Sequence, residues 1–364
     1  MAAAQRDELL RKLQQQVEEN DVSEEYSSWV RGEISSSAAA SPTKRCRFFD
    51  KHGFIFIPGF ANANEVDSMK STMKEMVDND WEPDNEKTQV FRTDEGQLEA
   101  QSTSDYFLDS ATKVHFFAEK DAIDENGKSL KVEYHSDKIA ALNKAGHGFH
   151  LTPGPFQDYT QSEKVGKLLR ELGWQEPCVP QSMYIFKQAH IGGEVTSHQD
   201  SSFLHTTPRQ TCIGLWLALD DATLENGCMW VRPGSHHEPL RRQFVRNPKH
   251  FGESLAYDGS HDEDCSCPQM IFRQLNENKH VTWEGSIPDN SELPDCEGLY
   301  GNGFVPVPCR AGDLLAFCGH LDHLSLPNYS SKARHTFQLH CIEGKDTTWS
   351  KDNWLQSDIA FMKL

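Results

Sequence analysis

His198 and Asp200 stand one residue apart in the stretch Val195–Phe203, VTSHQDSSF. On a strand, side chains at i and i+2 share one face, so an imidazole and a carboxylate at this spacing can reach one ion. The same spacing suits an ordinary solvated pair, and a metal centre needs a further donor. A triad of two histidines and one carboxylate binds Fe(II) on one face and leaves the opposite positions open. Two neutral imidazoles and one carboxylate leave the ion a net positive charge, so an anionic cosubstrate and dioxygen can bind. The second histidine must then lie on a later, neighbouring strand. Residues 312–340 offer His320 and His323, with Arg334 beyond them, just before an apparent strand from His335.

Other segments must position these groups. Gln5 to Glu19 has a helical but almost wholly polar pattern, and Ser35 to Thr43, SSSAAASPT, reads as a flexible linker. Residues 1–44 are therefore expected to form a poorly ordered or loosely docked extension. Ordered sequence is expected from Arg45, with a short helix leading into a strand over Phe54–Ile57 that Pro58-Gly59 stops. A helix follows from Asn64, with Val66, Met69, Met73, Met76 and Val77 at helical spacing. A second spans Ser162 to Leu172, its buried stripe Val165, Leu168, Leu169 and Leu172, its stop Gly173. Short strand patterns then recur at 184–188, 212–220, 228–233, 312–319 and 335–342. The segment 220-DDATLENG-227 ends in Asn-Gly, a hairpin signal. The pattern predicts an all-β core with flanking helices, a sandwich or jelly roll. Residues from about 247 to 303 are acidic and rich in Pro, Gly and Ser; they read as a long inserted loop, a lid or a disordered segment.

The chain has 364 residues, enough for a sizeable core, and a net charge of −19. That field repels phosphate backbones and anionic lipid, so neither nucleic acid nor a membrane surface is the expected partner. There is no apolar run of spanning length and no secretory h-region at the N-terminus. The ten cysteines, mostly scattered, read as reduced thiols of a cytoplasmic protein. No coiled-coil heptads suggest assembly, so a monomer is expected.

The runs Lys187–Thr206, KQAHIGGEVTSHQDSSFLHT, and Gly214–His236, GLWLALDDATLENGCMWVRPGSH, followed by His323 and Arg334, resemble the phytanoyl-CoA dioxygenase family. The resemblance is greatest to the branch called phytanoyl-CoA dioxygenase domain-containing proteins, and it runs from about Phe48 to Trp354, except over the insertion. It implies an Fe(II)- and 2-oxoglutarate-dependent dioxygenase on a double-stranded β-helix, occupying residues 45–364. It implies His198, Asp200 and His323 as iron ligands; His323 lies eleven residues before Arg334, the family's spacing, which favours it over His320. Arg334 would bind the distal carboxylate of 2-oxoglutarate, since a planar guanidinium offers two parallel hydrogen bonds and keeps its charge. Ser325 would add a hydroxyl contact, and Lys144, Met183 and Trp216 match positions lining the cosubstrate pocket. The implied reaction converts 2-oxoglutarate and O2 to succinate and CO2, coupled to hydroxylation of a small or lipid-like substrate. Family members that halogenate lack the metal carboxylate; Asp200 argues against that chemistry.

Plainer readings accompany these. His190 and His205 suit exposed loops, His320 a surface or supporting place, and His236-His237 a hydrogen-bonded turn. Cys265, Cys267 and Cys296 lack the spacing of a four-ligand zinc site and read as free thiols. The basic run 241-RRQFVRNPK-249 could greet an anionic substrate but more often such a run is a solvated face. Two other activities remain open to the residues. One is a catalytically silent metal-binding barrel serving as a sensor or interaction module. The other is a cupin-like isomerase or hydrolase, for which Arg334 would have no purpose.

Overall fold

In the computed structural model, which describes residues 42–83, 89–90, 105–125, 129–252, 267–275, 299 and 302–364, the chain threads back and forth between two antiparallel sheets. The helical pattern at Gln5–Glu19 and most of the proposed extension and acidic insertion lie outside the described residues. The first described helix, Pro42–His52, begins inside the stretch expected to be a linker. Pro42 is its first residue, where the missing N–H has no intrahelical partner to lose and the fixed φ already suits a helix. The strand Phe54–Ile57 follows as expected.

The next helix, Ala63–Asp80, starts with a reciprocal cap: Glu65 N–H donates to the Asn62 side chain at 3.1 Å and Asn62 N–H to Glu65 Oε2 at 2.8 Å. It buries Val66, Met69, Met73 and Val77. The helix Glu163–Glu171 buries Val165, Leu168 and Leu169 and ends at Gly173, whose φ of +105° few other residues tolerate.

Among the described residues the strands are, in chain order, β1 (Phe54–Ile57), β2 (Val114–Ala118), β3 (Leu142–His147), β4 (Pro177–Ile185), β5 (Val195–His198), β6 (Thr206–Thr207), β7 (Ile213–Ala218), β8 (Met229–Val231), β9 (Arg242–Arg246), β10 (Met270–Gln274), β11 (Val305–Val307), β12 (Leu314–Cys318), β13 (His323–Ser325), β14 (Thr336–Glu343), β15 (Thr348–Trp349) and β16 (Met362–Lys363). The main sheet runs β1-β12-β7-β14-β4-β3-β2, with β16 also on β4; the smaller runs β11-β8-β13-β5. The chain passes from β4 to β5, from β7 to β8, and from β12 through β13 to β14, changing sheets each time. This is the double-stranded β-helix, a jelly roll with helices outside it. Its apolar core includes Trp216, Trp230, Phe337 and Leu339. A second apolar cluster holds Phe107, Phe244 and Trp354. No helix among the described residues is long and apolar enough to cross a membrane.

Several expectations need correction. Asn226-Gly227 does not close a hairpin: both edges of β7 are taken by β12 and β14, so β8 pairs instead with β11 and β13 in the other sheet. The strand anticipated at 184–188 ends at Ile185 and starts at Pro177. Pro180 hid its first half, but it lies beside a register shift against β14, where a missing N–H is tolerated. Asp200 is not on the strand with His198: β5 stops at His198, and Asp200 opens a short 3-10 turn over Asp200–Ser202. Within the inserted segment, Met270–Gln274 pairs with β9 and buries Met270, so this part is a strand and not a loop. Cys267 is disulfide-bonded and not the free thiol expected, whereas Cys46, Cys178, Cys212, Cys228, Cys309, Cys318 and Cys341 are free.

Gly227 has φ of +79°, and a Cβ there would overlap the Leu326 carbonyl oxygen and the buried stem of Lys187. Gly227→Ala is therefore expected to destabilise the protein by about 2 kcal/mol or more, read as a lower urea midpoint at unchanged m value; an unchanged midpoint would contradict this account of the crossover.

Candidate active site

The smaller sheet brings His198 and His323 face to face. They are register partners across the β5–β13 pair, with ring centroids 4.2 Å apart. Each ring is oriented by its own backbone. His198 Nδ1 donates to the Thr196 carbonyl at 2.8 Å and His323 Nδ1 to the Leu321 carbonyl at 2.9 Å. A carbonyl only accepts, so the proton sits on Nδ1 and the Nε2 lone pair is left for a ligand. The turn after β5 then carries Asp200 toward both: its Oδ1 lies 3.4 Å from His198 Nε2 and 3.6 Å from His323 Nε2. The three donor atoms lie within 4.8 Å of one another, a set that can hold one metal ion. Burial alone would raise the Asp200 carboxyl pKa, but the neighbouring imidazoles, His323 and then His340, which donates to Oδ2, hold it well below the usual range. Burial, then His198, push His323 down to about 4. An ionised carboxylate and neutral imidazoles are the forms that ligate metal.

The residues between the ligands are pinned. Asp322, next to His323, is fully buried and binds two guanidiniums, Arg232 at 2.7 Å through Nη2 and Arg241. It also accepts from the Ser197 hydroxyl at 3.0 Å, one residue before His198. Gln199 donates to the His320 carbonyl at 3.0 Å and accepts from Arg241 Nε at 3.2 Å. The basic run beginning at Arg241 is thus no solvated face: Arg241 and Arg246 are buried, and Arg246 donates to the Trp354 carbonyl at 3.3 Å.

The three donors open onto a cavity of roughly 160 Å3, lined also by Lys144, Met183, Trp216, Ser325 and Arg334. All eight residues singled out from the sequence thus meet in one place, whereas His190, His205 and His320 do not line it. His236 makes the expected turn contact, 3.0 Å from the Asp50 carbonyl. Arg334 is 2% exposed, and burial lowers its pKa to about 10. Its Nη2 donates to Ser325 Oγ at 3.3 Å, Ser325 donates to the Gly227 carbonyl at 2.9 Å, and the guanidinium lies 5.3 Å over the Trp216 ring. Its Nε and Nη1 have no hydrogen-bond partner among the described residues. A buried guanidinium with unsatisfied donors is costly unless an anion meets it, so this end of the cavity fits a carboxylate. Lys144 is buried, 3.8 Å from Met183 Sδ and 5.7 Å from the Phe107 and Phe117 ring centres; desolvation lowers its pKa strongly.

Sequence reasoning missed His340, whose Nε2 lies 3.1 Å from Asp200 Oδ2. It also missed Gln338 and His147 in the cavity wall, and the aromatic end formed by Phe107, Phe203, Phe244 and Trp354. A signal for His340 was present. In β14, Gln338 and His340 alternate with the core residues Phe337 and Leu339, the period-two pattern of a strand with one polar face.

The sequence pattern of the family described as Phytanoyl-CoA dioxygenase (PhyH) matches residues 49–336. The chain is 36% identical over 319 residues to phytanoyl-CoA dioxygenase domain-containing protein 1 of Mus musculus, covering 88% of this chain and 96% of that one. The counterpart in Bos taurus is 38% identical over 320 residues, with 88% and 96% covered. The phytanoyl-CoA dioxygenase of Arabidopsis thaliana is 36% identical over 309 residues, with 85% and 91% covered.

Removing Asp322 would leave two buried guanidiniums without their shared carboxylate. Asp322→Ala is expected to cost about 3–5 kcal/mol, seen as a large fall in the denaturation midpoint. A fall under about 1 kcal/mol would mean that solvent reaches the pair.

Proposed function

We infer the function from one premise: the chain belongs to the phytanoyl-CoA dioxygenase family, and is thus an oxidoreductase, a dioxygenase dependent on iron and 2-oxoglutarate. His198 and His323 would hold the iron through Nε2 and Asp200 through Oδ1. When bound, iron and 2-oxoglutarate supply the oxidising chemistry: 2-oxoglutarate and O2 become succinate and CO2, one oxygen atom going to each of succinate and the hydroxylated substrate. The observation that carries the assignment is Arg334, buried on the same cavity as the three donors with two nitrogens unpartnered. The distal carboxylate of 2-oxoglutarate would satisfy them, with Ser325 fixing the guanidinium and Trp216 stacking beneath it. Lys144 and Met183 would flank the body of the cosubstrate. This chain's residues then orient the cosubstrate, keep the ligating imidazoles deprotonated at Nε2 and exclude water.

The substrate is read as a small or lipid-like molecule that is hydroxylated. The aromatic end of the cavity, with Phe107 stacked on Trp354 at 4.4 Å, supports an apolar body beside the iron. Relatives are named for phytanoyl-CoA, yet three cations line this cavity, Lys144, Arg242 and Arg334. With Arg334 assigned to the cosubstrate and a net charge of −19, little remains to meet the phosphates of a CoA thioester. This favours a smaller substrate. A monomer in the cytoplasm completes the reading; the free thiols among the described residues favour a reducing compartment and the disulfide at Cys267 does not.

Incubated with Fe(II), O2 and 2-oxoglutarate, the native chain is expected to form succinate slowly even without its substrate, and Asp200→Ala to form none. Arg334→Met is expected to weaken 2-oxoglutarate binding by about 2–5 kcal/mol, roughly 30- to several-thousand-fold. Native-like 2-oxoglutarate binding by Arg334→Met would overturn the assigned cosubstrate site.

A further inference from the structure

The two oxygens of Asp200 have different surroundings. Oδ1 faces the imidazoles of His198 and His323. Oδ2 faces the main sheet, where His340 Nε2 lies 3.1 Å away. His340 is 3% exposed and sits on β14, a central strand held on one side by β4 and on the other by β7. Its register partners are Gln181 and Gly214. Gly214 completes the slot: a Cβ there would lie 3.2 Å from Oδ2 and 2.7 Å from the Phe317 ring. Oδ2 is therefore held between a fixed donor and a glycine that makes room for it, on the side away from the other ligands.

We propose that His340 is a positioning residue that confines Asp200 to a single ligating oxygen and so keeps one coordination place open for dioxygen; this rests on the ligand set proposed above. The argument is one of counting. An octahedral ion that takes two imidazoles, one carboxylate oxygen and the two chelating oxygens of 2-oxoglutarate has a single place left. A second oxygen from Asp200 would fill it. A carboxylate can ligate through one oxygen or both; the N–H of His340, bonded to Oδ2, opposes the rotation that would bring Oδ2 to the ion. A hydrogen bond to a charged acceptor is among the stronger ones and is stronger still out of water. The same bond fixes the carboxylate plane, so that Oδ1 points at the centre of the triad before any ion arrives.

The test compares His340→Leu, which removes the donor, with His340→Gln, which retains an N–H of similar reach, each as the full chain with Fe(II) and 2-oxoglutarate. Binding is followed without oxygen by the visible charge-transfer absorption of the Fe(II)–2-oxoglutarate pair. Turnover is followed as succinate against oxygen concentration. His340→Leu is expected to bind 2-oxoglutarate within about threefold of native and to show a displaced absorption band. Its KM for O2 is expected to rise about tenfold or more, and His340→Gln to recover most of that loss. A purely structural role would lower stability but leave the band and the KM for O2 in place. If His340→Leu does not fold, His340→Asn, polar but too short to reach Oδ2, is read by the same criteria. A native chain with the band, and a donor-less variant matching it in band and KM, would overturn the positioning role alone. A native chain with no band would overturn the ligand set and this inference with it.

Discussion

The site depends on one cross-strand pair, His198 opposite His323. These residues are far apart in the chain and meet only because β5 and β13 are neighbours in the smaller sheet. Strand register is unforgiving, since a shift of one residue turns every side chain to the other face, and here it would carry one imidazole out of the site. The strands are short, four residues in β5 and three in β13, so backbone pairing by itself specifies the register weakly. Asp322 supplies what the ladder lacks. It joins Ser197 on β5 to Arg241 just before β9 and Arg232 just after β8, with no exposure to water. A buried ion pair of this kind contributes little net stability over a well-packed apolar substitute, but one arrangement satisfies it and slipped ones do not.

The Arg334 end of the cavity is built on the opposite principle, with a buried charge left short of partners among the described residues. Arg334 lies where burial lowers its pKa, and among the described residues its guanidinium meets the Ser325 hydroxyl and the Trp216 ring. Its position is nevertheless fixed, because its backbone N–H donates to the Lys187 carbonyl at 3.1 Å and Asn328 binds the same carbonyl at 2.9 Å. Lys187 in turn donates to the Gly193 carbonyl at 2.7 Å, just before β5. The segment that leads to His198 and the segment that presents Arg334 are thus tied to one residue. A folded protein tolerates such an unsatisfied charge where a ligand later relieves it.

Much of this was legible where side-chain chemistry is unusual. A histidine and a carboxylate at close spacing, followed by His323 and Arg334, point to a metal and an anion without any structure, and the apolar strands β1, β7, β12 and β14 stand out by composition. What was not legible follows from packing. Leu142–His147 is buried along its whole length although it contains Asn, Lys and His: Lys144 and His147 line the cavity, and Asn143 hydrogen-bonds Glu119; no periodicity marks it. Arg241 looks like part of a solvated basic run, and only the fold brings Asp322 to it. His340 sits in a recognisable strand, yet its purpose depends on Asp200 leaving the strand geometry at the turn after β5. The sequence supports a strand pair there, and the turn is what aims Oδ1 at the imidazoles and Oδ2 at His340.

The cavity has two ends of different origin, one on the strands of the two sheets and one on the segments packed outside them. Strands β4, β5, β7, β13 and β14 and the loop before β14 carry Met183, His198, Trp216, His323, Ser325, Arg334 and His340, so the cofactor end is built almost wholly from the regular barrel. The aromatic end is not. Phe107 comes from the short helix Asp105–Asp109, Phe203 from the residue after the 3-10 turn, Phe244 from β9 in a separate two-stranded sheet, and Trp354 from the chain beyond β15. These segments pack mainly on one another in their own apolar cluster. None of these segments belongs to the β5–β13 pair that sets His198 opposite His323. Lys144 stands at the boundary, on β3 of the main sheet but over the ring of Phe107, so a molecule that fills the aromatic end must also fit against its side chain.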